Sequence, residues 1–491
     1  MTEPAARQLL PWLRLTYGKL ALTLTLLPVF CGAQPEIQMQ RLIAPRLLEF
    51  SQDGSRLWYK VGTQWWEVST APNSKPKHAH HTPPPQDAAA RSSEKNSPDG
   101  KRVAYLGAER PAGPSLLMLA TGEPGAAAKP VSRMPVSAFQ WAADSSSLWV
   151  IGIDGADEPV GRLHLDGRFE VVSKGPALRW QGGLAAAKDM LAWLETDERH
   201  FGTIWIRDRS GAVRVLAEPN PEAAEWNPGT QEVVRWHNAH GEELVGVLAK
   251  PSTGDHFPLV VDPYSGWRNR YLNIPVLGNY MFVQEGFAVF FPDHRAVHGF
   301  PENAFGEAYI GASKDRDPLD VLTDDVMSGV NELIRRGVAD ADRLFLHSTS
   351  TGASAIGQLL TQTRAFRAAV AHGGVYDWLG HYQMRHPLGD ETIPGFLGGR
   401  TPADSLDLYR RISPIYQADR IKTPLLLVIG DKDETRYDEN LRFYEALQKS
   451  GSPARLVVYK GEGHGISNAE AGVKHVRQSI DFFRSAPPPA K

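Results

Sequence analysis

The stretch "LFLHSTSTGASAIG", residues 344–357, decides the fold of the C-terminal half of the chain. It begins as an apolar strand, breaks into small polar residues and continues with the composition of a helix. Ser350 lies at the break, and Gly352 follows two residues later. A serine on a sharp strand-to-helix turn is typical of the G-x-S-x-G nucleophile elbow of α/β-hydrolases. Ser348 replaces the first glycine of that pattern, so the elbow is recognisable but altered.

Short apolar strands alternate with helices around this stretch. The predicted strands are 257–264, 287–293, 343–348, 367–373, 424–430 and 454–460, and the clearest predicted helices are 320–337 and 437–451. Runs that are apolar on both faces and alternate with helices indicate a mostly parallel sheet that is covered on each side. Residues 231–485 are therefore predicted to form a C-terminal α/β-hydrolase domain, with 486–491 as a tail.

Candidate partners for Ser350 follow two of these strands. A serine nucleophile needs a base and a group that orients the base, and in α/β-hydrolases the order is Ser, then Asp or Glu, then His. Asp431 and Asp433 come directly after one predicted strand, and His464 lies in a glycine-rich loop after the next. Because functional groups of open α/β sheets gather at the carboxyl ends of strands, these side chains are expected to meet at one edge.

The N-terminal half contains a repeat of about 45 residues. Polar turns with an aspartate recur at Asp53, Asp99, Asp144 and Asp189, at spacings of 46, 45 and 45 residues. Each turn precedes an alternating apolar strand, which is typical of β-propeller blades. Residues 35–230 are therefore predicted to form a β-propeller-like domain of four to five blades. An irregular β-domain is the alternative.

The composition excludes some classes of function. The chain has 491 residues, a net charge of −3 and no long basic run, so nucleic acid is not an expected partner. His78, His80 and His81 lie in a loop rich in proline, serine and charge (residues 74–96), which is interpreted as solvated rather than as a metal site. No metal or cofactor is predicted.

The N-terminus has the pattern of a secretory signal peptide. Basic residues precede the apolar run 20–30, and the small residue Ala33 precedes a plausible cleavage point. The run has 11 residues, whereas a membrane-spanning helix needs about 20. Residues 1–33 are therefore predicted to be removed, together with Cys31, the only cysteine, leaving an exported protein (periplasmic or secreted) without a membrane segment. An uncleaved anchor is the alternative.

Residues 231–485 resemble the catalytic domain of the prolyl oligopeptidase family of serine peptidases, nearest its dipeptidyl-peptidase and acylaminoacyl-peptidase branches. The resemblance rests on residues 260–267, 286–300, 347–354, 366–378, 413–434 and 461–466. It implies a serine peptidase that acts on small peptides. It also implies an N-terminal β-propeller, in agreement with the interpretation of the repeat.

The resemblance implies roles for individual residues. Ser350 matches the nucleophile, Asp433 the acid and His464 the base of a Ser-His-Asp triad. Tyr264 matches a tyrosine whose hydroxyl helps to form the oxyanion hole, beside the backbone N–H of Thr351.

Other residues at the substrate pocket and at the elbow match the family pattern or depart from it. Val375 and Trp378 fall where the family lines the pocket for the residue before the cleaved bond. The family usually has glycine, an aromatic residue and glycine where this chain has Ser348, Thr351 and Ala353. All three replacements are small, so the elbow is interpreted as tight but functional.

The leading hypothesis is a secreted serine peptidase that hydrolyses small peptides through an acyl-enzyme. An esterase with the same triad is one alternative. A catalytically inactive, propeller-based binding protein is the other.

Overall fold

The computed structural model describes residues 45–79, 94–107, 115–121, 127–154, 157–175, 177–197, 200–226, 229–264, 277–294, 317–384, 393, 397 and 400–487. The predicted signal peptide, residues 1–33, lies outside these ranges, as do His80 and His81. Among the helices in these ranges, none combines the length and the apolar character needed to cross a membrane.

The described residues before 226 form four antiparallel sheets of four strands each, which follow one another along the chain. Sheet 1 contains β1 (Arg46–Phe50), β2 (Arg56–Val61), β3 (Gln64–Ser69) and β4 (Lys77–His78), and sheet 2 contains β5 (Glu94–Asn96), β6 (Arg102–Gly107), β7 (Leu116–Thr121) and β8 (Lys129–Pro130). Sheet 3 contains β9 (Val136–Trp141), β10 (Ser147–Gly152), β11 (Val160–His164) and β12 (Phe169–Ser173), and sheet 4 contains β13 (Leu178–Ala187), β14 (Met190–Thr196), β15 (Thr203–Arg207) and β16 (Val213–Ala217).

The repeated aspartates occupy equivalent places in these sheets. Asp53, Asp99, Asp144 and Asp189 each lie in the turn between the first and second strands of a different sheet. The first three accept a backbone N–H from the residue two positions later, at 3.0, 3.1 and 3.0 Å. An aspartate that bonds its own turn in this way favours the tight reversal of the chain. The repeat in the sequence therefore corresponds to a repeated turn.

Buried apolar side chains join neighbouring sheets. One cluster packs sheet 2 against sheet 3, a second packs sheet 3 against sheet 4, and a third packs sheet 4 against sheet 1. Residues 80–93, which connect sheet 1 to sheet 2, are outside the described ranges. Closure of the four sheets into a propeller stays a prediction.

The C-terminal half is built on one mixed sheet of eight strands, in the order β17-β18-β20-β19-β21-β22-β23-β24. The strands are β17 (Thr230–His237), β18 (Glu243–Lys250), β19 (Phe257–Val261), β20 (Ala288–Asp293), β21 (Ala339–Thr349), β22 (Ala368–His372), β23 (Leu425–Gly430) and β24 (Ala454–Tyr459). β17, β18 and β20 pair antiparallel, and all pairings from β20 to β24 are parallel. The mostly parallel sheet follows from strands that are buried on both faces, such as β23, in which every residue is buried.

Helices accompany this sheet along the chain. They are α1 (Leu277–Gln284), α2 (Pro318–Arg335), α3 (Thr351–Gln362), α4 (Trp378–Gln383), α5 (Pro402–Arg411), α6 (Tyr437–Lys449) and α7 (Ala469–Ser485), and Pro221–Glu225 and Pro414–Arg420 are short 3₁₀ helices. A single core cluster runs from the β17–β18 hairpin through the parallel strands to α7. This core fixes the carboxyl ends of β21, β23 and β24 relative to one another.

Among the predicted strands of the C-terminal half, β21 departs most from its predicted bounds. β21 begins at Ala339, four residues before the predicted start of 343–348. Its first half is polar, but Ala339 still pairs with Phe257 of β19. Backbone pairing therefore extends the strand beyond the residues that the apolar pattern identifies.

Candidate active site

Ser350 occupies the turn between β21 and α3 in a strained backbone conformation. Its φ is 57° and its ψ is −123°, a region that residues other than glycine rarely adopt and that is concentrated at functional sites. The Ser350 N–H donates to the carbonyl oxygen of His372, at the end of β22, at 2.8 Å. The neighbouring strand therefore helps to hold the turn that presents the Ser350 side chain.

Three side chains from separate loops form a hydrogen-bonded series. His464 Nε2 lies 3.0 Å from Ser350 Oγ, and His464 Nδ1 lies 2.7 Å from Asp433 Oδ2. Asp433 is buried, and its other oxygen accepts a bond from Thr435 Oγ1 at 3.0 Å. With Nδ1–H donating to Asp433, Nε2 is free to accept the Ser350 hydroxyl proton, which is the arrangement that general-base catalysis requires.

The second aspartate of this loop has a different partner. Asp431 Oδ1 accepts the N–H of Gly461 at 2.7 Å. Gly461 lies in the turn that leads from β24 to His464, so Asp431 ties the two loops together at their base. Asp433 therefore contacts the imidazole, and Asp431 supports the loop that carries it.

Small residues are required where β21 meets α3. A Cβ atom on Gly352 would come within 1.9 Å of Ser348 Oγ and 2.8 Å of Tyr264 Cα. Ala353 is fully buried. The turn therefore has no spare volume, but it accommodates the hydroxyl of Ser348 in place of the usual glycine.

Tyr264 and Thr351 lie next to this turn. Tyr264 follows β19, and its backbone N–H donates to Asp262 Oδ1 at 3.1 Å. Its Cα is close to the space beside Gly352, in the first turn of α3. Thr351 is the first residue of α3, where backbone N–H groups have no acceptor within the helix. Both predicted oxyanion residues are thus placed beside the elbow.

The two predicted pocket residues have different surroundings. Val375 is buried, and its N–H donates to Ser354 Oγ at 2.7 Å, while Ser354 Oγ itself donates to the Ser350 carbonyl at 3.2 Å. Trp378 begins α4 and packs against a separate apolar cluster that includes Leu319 and Tyr409. Val375 is therefore linked to the elbow through the Ser354 hydroxyl, whereas the apolar contacts of Trp378 are with this separate cluster.

A polar pair that the sequence analysis missed holds the segment before α4. Glu439 Oε1 accepts the N–H groups of Tyr376 and Asp377 at 2.7 and 2.8 Å, and Asn440 Nδ2 donates to the Gly374 carbonyl at 3.1 Å. Burial raises the pKa of Glu439 to about 7. Glu439 and Asn440 lie on the same buried face of α6 as Phe443. Polar residues on an apolar helix face are the signal that could have identified them.

Two buried histidines, His372 and His475, and the half-buried His347 lie close together near the triad. The ring centroid of His475 is 5.5 Å from those of both His347 and His372. Burial lowers the pKa of His347 to about 4 and those of His372 and His475 to about 3, so all three are neutral at pH 7. Within the part of the chain that the structure describes, no group of three His, Cys, Asp or Glu side chains is arranged to hold a metal ion.

Comparison with known proteins finds similar sequences for part of the chain. The model of the prolyl oligopeptidase family (Peptidase_S9) matches residues 277–486. The chain is 24% identical over 305 residues to the probable glutamyl endopeptidase, chloroplastic, of Oryza sativa subsp. japonica, covering 58% of this chain and 30% of that protein. It is 25% identical over 331 residues to the acylamino-acid-releasing enzyme of Homo sapiens, covering 65% of this chain and 42% of that enzyme.

A solved structure extends the likeness beyond the catalytic half. The acylaminoacyl peptidase of Pyrococcus horikoshii superposes with a TM-score of 0.68 at 19% identity, covering 91% of this chain and 72% of that one. At this level of identity the likeness concerns the fold. The alignments with the rice and human proteins span less than half of their lengths.

Proposed function

Residues 277–486 belong to the prolyl oligopeptidase family, and on that premise we propose that the protein is a serine peptidase that hydrolyses small peptides through an acyl-enzyme on Ser350. One observation carries the proposal, which is the hydrogen-bonded series from Ser350 Oγ through the His464 ring to Asp433. Peptides as the substrate class are supported by the family of serine-type peptidases to which this region belongs.

In the acylation step, Ser350, His464 and Asp433 each have a distinct role. His464 Nε2 takes the proton of Ser350 as Oγ attacks the carbonyl carbon of the scissile bond. Asp433 holds the imidazole in the tautomer that can accept this proton, and stabilises the positive charge that the ring then carries. His464 next gives the proton to the leaving amine nitrogen, the C–N bond breaks, and the acyl group remains on Oγ. A water molecule then gives a proton to the same ring and attacks the ester carbon, the C–Oγ bond breaks, and the ring returns the proton to Ser350 Oγ.

The negative charge that develops on the carbonyl oxygen needs donors beside Ser350. We assign this role to the Thr351 N–H, at the start of α3, and to the Tyr264 hydroxyl. The position of Tyr264 next to the first turn of α3 supports the assignment. Fixed donors of this kind act mainly on the transition state, so they raise kcat more than they lower KM.

Val375 and Trp378 are proposed to line the pocket for the residue before the cleaved bond. The link from Val375 through Ser354 to the Ser350 carbonyl supports the first assignment. The partly buried Trp378 side chain would supply apolar surface. The N-terminal sheets are proposed to form a propeller, in keeping with their repeated turns.

Esters are the second substrate class to be tested. The same triad would acylate on an ester carbonyl as well as on an amide, and an alkoxide is the easier leaving group. The direct test is hydrolysis by the purified protein of matched peptidyl-amide and acyl-ester reporters. Turnover of peptidyl amides that is lost in Ser350→Ala supports the peptidase. Turnover of esters alone would assign an esterase, and no turnover of either class would favour a binding protein.

Export is a further part of the proposal. The apolar run 20–30 and Ala33 support removal of residues 1–33 by a signal peptidase. N-terminal sequencing of protein from the native host should begin near Gln34. An intact Met1, or a lipid on Cys31, would overturn export as a soluble protein.

A further inference from the structure

One carboxylate oxygen joins the two segments that form the proposed oxyanion site. Asp262 Oδ1 accepts the hydroxyl of Ser348 at 2.5 Å and the backbone N–H of Tyr264 at 3.1 Å. Ser348 lies near the end of β21, two residues before the proposed nucleophile, and Asp262 directly follows β19. The oxygen therefore connects the turn that contains Tyr264 to the strand that leads into the elbow.

The replacement of the usual elbow glycine makes this connection possible. Glycine at position 348 would have no hydroxyl to donate. Ser348 is buried, and its Oγ occupies the space beside Gly352, against which the Tyr264 backbone also packs. Ser348, Gly352 and Tyr264 thus meet without spare volume, and the hydroxyl is held pointing at Asp262.

The bond between Ser348 and Asp262 has the length of a charge-assisted hydrogen bond. Hydroxyl-to-carboxylate bonds of this kind are about 2.5–2.7 Å long and roughly twice as strong as neutral ones. Burial raises the pKa of Asp262 to about 7, while the bonds from Ser348 and from the Tyr264 N–H favour the ionised form. A carboxyl group that is costly to ionise is thus held at the edge of the site by two donors.

We infer that Asp262 and Ser348 form a positioning bridge that sets the location of Tyr264 for stabilising the oxyanion. The inference rests on the proposed function, because it concerns the efficiency of the same reaction. Neither residue touches the substrate. Both act through Tyr264, since the bridge fixes the backbone from which its hydroxyl is presented.

The bridge predicts a specific pattern among variants. Ser348→Ala and Ser348→Gly remove the donor and should each lower kcat on a peptidyl reporter by on the order of tenfold, with little change in KM. Asp262→Asn should retain most of the activity, because an amide oxygen can accept both bonds. Asp262→Ala should lose at least as much as Ser348→Ala.

A double-mutant cycle separates positioning from a merely structural role. If the bridge acts through Tyr264, Ser348→Ala should cause no further loss of kcat in the Tyr264→Phe background. Ser452→Ala is the matched control, because Ser452 is also buried and donates to the Ala418 carbonyl at 2.7 Å, far along the chain from the elbow. It should lower the melting temperature and leave kcat unchanged.

Failure of the bridge and failure of the peptidase proposal would give different results. Additive losses in the cycle, or an unchanged kcat in a folded Ser348→Gly variant, would overturn the bridge and leave the peptidase proposal intact. A near-normal kcat in Tyr264→Phe would also overturn the bridge and leave the peptidase proposal intact. Failure of the proposed function itself would appear separately, as full turnover by Ser350→Ala.

Discussion

His464 Nδ1 lies 2.7 Å from Asp433 Oδ2, although the two residues come from different loops at the edge of the sheet. Asp431, only two residues before Asp433, accepts a bond from the Gly461 N–H instead. The two carboxylates follow the same strand, so their different partners give a matched pair for testing which of them orients the imidazole.

Asp433→Asn should lower kcat by on the order of 10⁴-fold, because the asparagine amide favours the tautomer of His464 that cannot accept the Ser350 proton. Asp431→Asn should keep most of the activity, since an amide oxygen can still accept the Gly461 N–H. Steady-state kinetics on one peptidyl reporter compares the two variants. The opposite ranking would assign the orienting role to Asp431.

Tyr264→Phe should reduce kcat by roughly 10²–10³-fold, the usual effect of removing one oxyanion donor. KM should change little, because the bond strengthens only as charge develops on the oxygen. The substitution removes a single oxygen, so thermal unfolding should be close to that of the wild type. Near-normal kcat on a peptide would leave Tyr264 with a structural role only.

Gly352→Ala should damage both folding and activity. The new Cβ would lie 1.9 Å from Ser348 Oγ and 2.8 Å from Tyr264 Cα, and overpacking of this kind typically costs about 1–3 kcal/mol. Adding Ser348→Gly should relieve the first contact but not the second, so rescue should be partial. Gly278→Ala in α1 is the control, because a Cβ there meets nothing within 4 Å. Equal effects of the two alanine variants on melting temperature and kcat would contradict the packing argument.

The histidines His347, His372 and His475 should make the protein sensitive to acid. Their pKa values are depressed in the folded state, to about 4 for His347 and about 3 for His372 and His475. As pH falls below about 6.5, the unfolded chain takes up protons that the folded protein does not, so the free energy of unfolding decreases.

His475→Phe removes one group that is protonated in the unfolded chain but not in the folded protein. The free energy of unfolding should therefore fall less steeply as pH decreases, by about 1.4 kcal/mol per pH unit between pH 6 and 4. Denaturant unfolding of the two proteins at several pH values gives the slopes. The comparison cancels the contributions of groups that the substitution does not affect. Identical slopes would show that His475 is not held neutral in the folded protein.

Local patterns in the sequence were sufficient to predict the strand–turn–helix around Ser350 and the alternation of strands and helices that follows. Each depends on residues close together in the chain. The choice of Asp433 over Asp431 came instead from resemblance, because both follow β23 and only the path of the loop before His464 distinguishes their partners.

Long-range contacts could not be predicted in this way. The bond between Ser348 and Asp262 joins residues 86 positions apart, and it depends on β19 and β21 becoming neighbours in the sheet. The bonds that Glu439 accepts from the Tyr376 and Asp377 N–H groups likewise depend on the packing of α6. In the N-terminal half, a repeated aspartate predicts a repeated turn, but not whether the sheets close into a ring.

Labelling with a fluorophosphonate probe, followed by peptide mapping, tests the central claim most directly. The His464 ring, 3.0 Å from Ser350 Oγ, should activate this hydroxyl, so the purified protein should carry one phosphonyl group, on Ser350. Ser350→Ala should lose both the label and peptidyl turnover while its unfolding curve stays unchanged. Labelling of Ser348 or Ser354 in its place, or turnover that persists in Ser350→Ala, would contradict the assignment of Ser350 as the nucleophile.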